Sequence, residues 1–119
     1  MALLTRDAIL QTQDLPTEQV SVPEWGGEVL VRGLTGADRD DFEQSIAEQK
    51  GKNVKMNLRN VRAKLVALTV VDEDGNRLFS DKDAGVLGRK SAVALNRVFE
   101  VAQKLSGLTP EDVDELAKN

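Results

Sequence analysis

Three residue types are missing from this 119-residue chain: it has no cysteine, no histidine and no tyrosine. Without cysteine there is no disulfide and no thiolate zinc site, and without histidine there is no imidazole ligand and no switch near neutral pH. Serine–histidine–aspartate and cysteine–histidine nucleophiles are excluded outright. Carboxylates, lysines and hydroxyls remain, a small set for catalysis, so binding or assembly is the class to expect. Aromatic residues are also few. Trp25, Phe42, Phe79 and Phe99 are all there are, and the core has to be built from Leu, Val, Ile and Ala. Long apolar runs are absent, so no segment reads as a membrane span. The N-terminal stretch Met1–Arg6 reaches Asp7 too early for the apolar region of a signal peptide. The cytoplasm is the expected compartment.

The length suits one domain over residues 1–119. Net charge is −4 and unevenly spread. Residues 1–49 carry ten acids against three bases. Residues 50–64 carry Lys50, Lys52, Lys55, Arg59, Arg62 and Lys64 with no acid, and residues 65–119 return to ten acids against seven bases. A basic block of this kind suits an acidic partner or a nucleic-acid backbone. A solvated helix face balanced by acidic neighbours is the simpler account, because no aromatic is interleaved for stacking and the whole chain is acidic.

The pattern along the chain predicts an α+β fold, mostly helical, with five or six helices and one N-terminal β-hairpin. Thr5 caps a short helix over 6–12, with Leu4 and Ile9 placed for a hydrophobic staple. Val20 and Val22, then Val29 and Val31, alternate with polar residues around Pro23-Glu24-Trp25-Gly26-Gly27, a hairpin signal with Pro23 marking an edge strand. Thr35 caps a helix with Asp38 at its third position and Phe42 and Ile46 on its buried stripe. Gln49–Asn53 reads as a flexible loop. Leu58, Val61, Leu65 and Leu68 predict a helix over 56–71. Asp72–Asn76 is a turn, after which Arg77–Phe79 pairs briefly with Val70–Val71. Ser80 caps a short helix to Leu87, and a long helix follows over 90–105 with Leu95, Val98, Phe99, Ala102 and Leu105 facing inward. Thr109-Pro110-Glu111-Asp112 opens a last short helix.

Few residues suggest a site. Asp72, Asp74, Asn76 and Asp83 echo the ligand spacing of a calcium loop, but Arg77 stands where that loop needs glycine and the twelfth position is Asp rather than Glu. A tight Asp-Gly-Asn turn explains the same residues. Gly33-Leu34-Thr35-Gly36 precedes a helix but lacks a phosphate-binding lysine, and its following aspartates repel anions. Adjacent carboxylates such as Asp40/Asp41 point to different faces, which gives no acid–base pair. Neither a catalytic residue, a metal ligand nor a cofactor is expected. Trp25, the single tryptophan, is either an aromatic anchor for a partner or a lid folded on the core beside Val22 and Val29; the lid is favoured, since few other aromatics fill space.

The order of three segments, Val22–Gly27 with Val29–Asp40, Leu65–Ala67 with Val71–Ser80, and Lys90–Ala92 with Arg97–Leu108, resembles the tail assembly chaperones of long-tailed bacteriophages and prophages. Together they cover most of the chain; residues 47–57 carry no fixed pattern. The resemblance implies a non-enzymatic protein that binds the tape measure protein, the long ruler of tail length, and keeps it soluble until tail tube subunits polymerise around it. It also implies contact with the tail tube protein, permits homo-oligomers, and permits a longer form made by ribosomal frameshifting. The partner-binding residues to expect are Trp25 and the basic Lys52, Lys55, Arg59 and Arg62, with the faces of the 56–71 and 90–105 helices turned away from the core. The alternatives from other classes are a small calcium-responsive or acidic regulatory module and a nucleic-acid adaptor using Lys50–Lys64.

Overall fold

The computed structural model describes residues 2–50, 53–56 and 60–108. Helix α1 (Arg6–Gln11) comes first, and the Thr5 hydroxyl accepts from the Ala8 N–H at its start. None of its residues is buried. Leu4 and Ile9 are 71% and 56% exposed, so the expected staple covers little. Strands β1 (Thr17–Val22) and β2 (Gly27–Arg32) form the expected antiparallel hairpin, with Val20 opposite Val29 and Glu18 opposite Val31. A 3-10 turn over Pro23–Trp25 connects them, and Gly26 takes the left-handed conformation (φ 81°) that closes it.

Helix α2 (Gly36–Ile46) starts at Thr35, whose hydroxyl accepts from the Asp38 N–H at 2.9 Å. Phe42 and Ile46 are its buried pair. The chain then departs from expectation. In place of a loop, β3 (Ala47–Lys50) and β4 (Asn53–Met56) pair antiparallel, Lys50 opposite Asn53. The following helix, α3 (Val61–Thr69), is shorter at both ends than the predicted 56–71. Asn60 at φ 61° precedes it, a left-handed position that Asn tolerates better than most residues. At the other end Val70–Val71 form strand β5 against Leu30 and Val31 of β2, where two β-branched residues fit better than in a helix. The main sheet therefore has the order β1-β2-β5 with β1 on an edge.

The Asp72–Asn76 turn is as predicted. The Asp72 carboxylate accepts from the N–H groups of Asp74 and Asn76, both at 2.9 Å, and Gly75 takes φ 87°. Arg77 bridges back to Val71 and anchors itself to the Ala67 carbonyl and to Asp81. The Asp83 carboxylate accepts from the Ser80 N–H at 2.8 Å ahead of α4 (Ala84–Leu87). Helix α5 (Ala92–Leu105) is capped by the Ser91 hydroxyl. It ends at Gly107 (φ 70°), where the Leu108 N–H reaches the Gln103 carbonyl and the Gly107 N–H reaches that of Lys104. The last predicted helix, from Thr109, lies outside the described residues.

Helix α3 is the centre of the molecule. Ala63 and every residue from Leu65 to Thr69 are buried. Even the Thr69 hydroxyl is satisfied, donating to the Leu65 carbonyl at 2.8 Å. Helix α5 lies against α3 with Ala94, Leu95, Val98, Phe99 and Ala102 and receives the hairpin's Val20, Val22 and Val31 into the same core.

Candidate partner-binding groove

Two ion pairs hold the hairpin on α5. Arg97 donates twice to Glu24, at 2.6 and 3.0 Å, and Lys104 donates to Glu18 at 2.9 Å. Arg97 and Lys104 are two turns apart on one helix face, so the hairpin is fixed near its tip and near its base. The bidentate bond from Arg97 holds the Glu24 carboxyl below the ordinary glutamate range, and Glu24 in turn raises Arg97. Gly33 lets the chain pass beneath the end of α5: a Cβ there would stand 2.5 Å from the Leu105 carbonyl oxygen.

At the opposite end of α5 the surface opens. A groove of about 650 Å³ runs between the start of α3 and the start of α5, lined by Asn60, Val61, Arg62, Lys90, Val93 and Asn96 among others. Apolar side chains contribute to its lining, and Val93 among them is 65% exposed. Arg62 is held rather than free-swinging. Its Nε donates to Asn96 Oδ1 at 3.2 Å, and its guanidinium lies 5.5 Å from the Phe99 ring centroid, in cation–π range. Among the described residues neither Arg62 nor Lys90 pairs with a carboxylate. The groove thus combines apolar side chains with two cations in its lining, which suits an amphipathic segment bearing carboxylates.

Of the residues singled out from the sequence, Arg62 lines this groove. Trp25 does not; it sits half-buried at the hairpin tip, packed against the core as the lid reading has it. Lys55 lies in β4, while Lys52 and Arg59 fall outside the described residues. Sequence reasoning pointed to the outer faces of the 56–71 and 90–105 helices but did not single out Lys90 and Val93. Lys90 stands outside the 50–64 block, and Val93 is an apolar residue off the Leu95–Val98–Ala102 stripe. That displacement is itself a signal of a second apolar face.

The model of the phage tail assembly chaperone family matches residues 5–119. The chain belongs to this family. The solved structure of the bacteriophage HK97 tail assembly chaperone shares the fold, with a TM-score of 0.55 at 20% identity over 76% of this chain and 85% of that one. Comparison with curated proteins gives no match. Tail assembly chaperones are in general non-enzymatic. Among the described residues no helix is long and apolar enough to cross a membrane.

Proposed function

We propose that this tail assembly chaperone binds the tape measure protein non-covalently and keeps it soluble, in the host cytoplasm, until tail tube subunits polymerise around it. The α3–α5 groove is the observation that carries the reading. A long helical ruler presents apolar stripes that aggregate when uncovered, and an amphipathic helix lays such a stripe into an apolar groove. Arg62 and Lys90 in the lining then meet carboxylates flanking the stripe, which sets orientation and speeds encounter more than it adds affinity.

The test is co-expression with the tape measure protein of the same genome. The wild-type chain raises the soluble fraction of that protein. Val93→Asp, which places a carboxylate in the groove lining at a side chain already exposed, removes most of the gain while leaving the chaperone folded. No gain with the wild-type chain overturns the reading; an equal gain with Val93→Asp overturns the groove.

A further inference from the structure

Residues 109–119, Thr-Pro-Glu-Asp-Val-Asp-Glu-Leu-Ala-Lys-Asn, lie outside the described residues, yet their sequence and their point of departure are on hand. Leu108 is buried in the core just past Gly107, so the segment sets out from a fixed place at the end of α5. Its helix-start sequence puts Val113, Leu116 and Ala117, three and four apart, on one face. At about 100° per residue, Asp112 and Asp114 fall on either flank of that stripe, with Glu111 and Glu115 behind it. Four acids stand against one base, Lys118. A helix of this length does not hold by itself in water. It needs a surface that is both apolar and positive.

Two concavities on the described surface can be compared. The smaller, of about 100 Å³, has Asp41 and Asp81 in its lining beside Lys64 and repels an acidic segment. The α3–α5 groove, of about 650 Å³, has Arg62 and Lys90 in its lining and no carboxylate, and Val61 and Val93 supply apolar contact. Reach is sufficient. Asn96, at the near side of the groove, precedes Leu105 by about 14 Å of helix axis. Residues 110–119 span about 15 Å as a helix, and the whole segment spans about 36 Å when extended.

We infer that residues 109–119 dock back into the α3–α5 groove of the same chain, with the Val113–Leu116–Ala117 stripe on its apolar side chains and the flanking aspartates toward Arg62 and Lys90. This inference rests on the groove of the client reading and deepens it: the segment is an internal stand-in for the client. It has the same chemistry, an apolar stripe edged by carboxylates. A tether this short holds it at an effective concentration in the millimolar range. A client must displace it, so the groove is covered when no client is present and weak clients are turned away.

The chain has no cysteine, so Asn119→Cys gives a single attachment point for a nitroxide, on the face away from the stripe. In a dilute, isotopically labelled sample the nitroxide broadens the amide signals of Arg62, Val93 and Asn96. It broadens far less those of Thr17–Gln19, beside the other end of α5. When the nitroxide sits on unlabelled chains mixed with labelled chains that lack it, the same signals stay sharp, because docking is within one chain. Leu116→Asp removes most of the broadening, and so does Asp112→Lys combined with Asp114→Lys; both lie in the segment and leave the body of the fold untouched. A fluorescent peptide of residues 109–119 binds a chain ending at Leu108, and binds the full chain with a dissociation constant about threefold or more higher. Broadening that is absent, spread evenly over the body or equally strong in the mixed sample overturns the inference, as do variants that broaden like the wild type. A peptide that binds neither chain, or both equally, overturns it as well. Client solubility enters none of these readouts, so self-docking can fail while the client reading stands, and the reverse.

Discussion

At the scale of single residues, two glycines make opposite predictions. At Gly33 a Cβ has nowhere to go, because the atom it meets is a backbone oxygen of α5. Gly33→Ala is expected to lower Tm by about 5–10 °C, the cost of overpacking at a rigid contact. Gly36 opens α2, and a Cβ there meets nothing within 4 Å. Gly36→Ala is expected to raise Tm by about 2 °C by restricting the unfolded chain. Thermal unfolding by circular dichroism reads both; equal shifts would show that the Leu105 contact has no consequence.

Glu24 gives the residue scale its pH dependence. Its carboxyl is held below the ordinary glutamate value of 4.5, chiefly by the Arg97 hydrogen bond. A group whose folded pKa is depressed adds stability above its unfolded pKa and loses it as pH falls through the folded one. Glu24→Gln is therefore expected to unfold at lower temperature than the wild type at neutral pH, with the gap closing as pH falls below 4.5. A gap independent of pH would mean that shape rather than charge holds the hairpin tip.

At the scale of elements, the core concentrates on few side chains. Phe42 is 1% exposed and, with Ile46, is what α2 contributes to the core. Phe42→Ala is expected to cost about 3–5 kcal/mol, a large part of the 5–15 kcal/mol typical of a whole domain; denaturant unfolding measures it. The elements that sequence made legible are those whose signals are local. Thr5 and Thr35 cap the helices they were expected to cap, and the Val20–Val31 alternation marks the hairpin. What stayed hidden depends on partners remote in sequence. Val70 and Val71 continue an apolar helical run in sequence, yet β2 recruits them as a strand. The β3–β4 pair has little β-branched character, so its sequence reads as a loop. The groove was half legible: Arg62 stood out by charge, whereas Lys90 and Val93 matter only because α3 and α5 lie side by side.

At the scale of the whole molecule, the chain divides into a body and an arm. The first backbone bond tying the N-terminal region to the sheet runs from Gly33 to Pro16, and nothing before it is buried. Residues 2–14 therefore add little to the stability of a single copy. Their removal is expected to shift the Tm of a dilute sample by no more than about 2 °C, the range of surface changes that touch no special feature. The same deletion should leave the soluble yield of a co-expressed tape measure protein unchanged, because the groove lies at the start of α5 while the chain enters β1 near its end, where Glu18 meets Lys104. Val93→Asp should instead lower that yield while leaving the Tm of the chaperone close to the wild type, because Val93 is 65% exposed. One helix would then serve two contacts, its first turns open to the client and its face holding the hairpin through Arg97 and Lys104. If the truncated chain unfolds well below the wild type when dilute, the arm packs on its own body and this division fails.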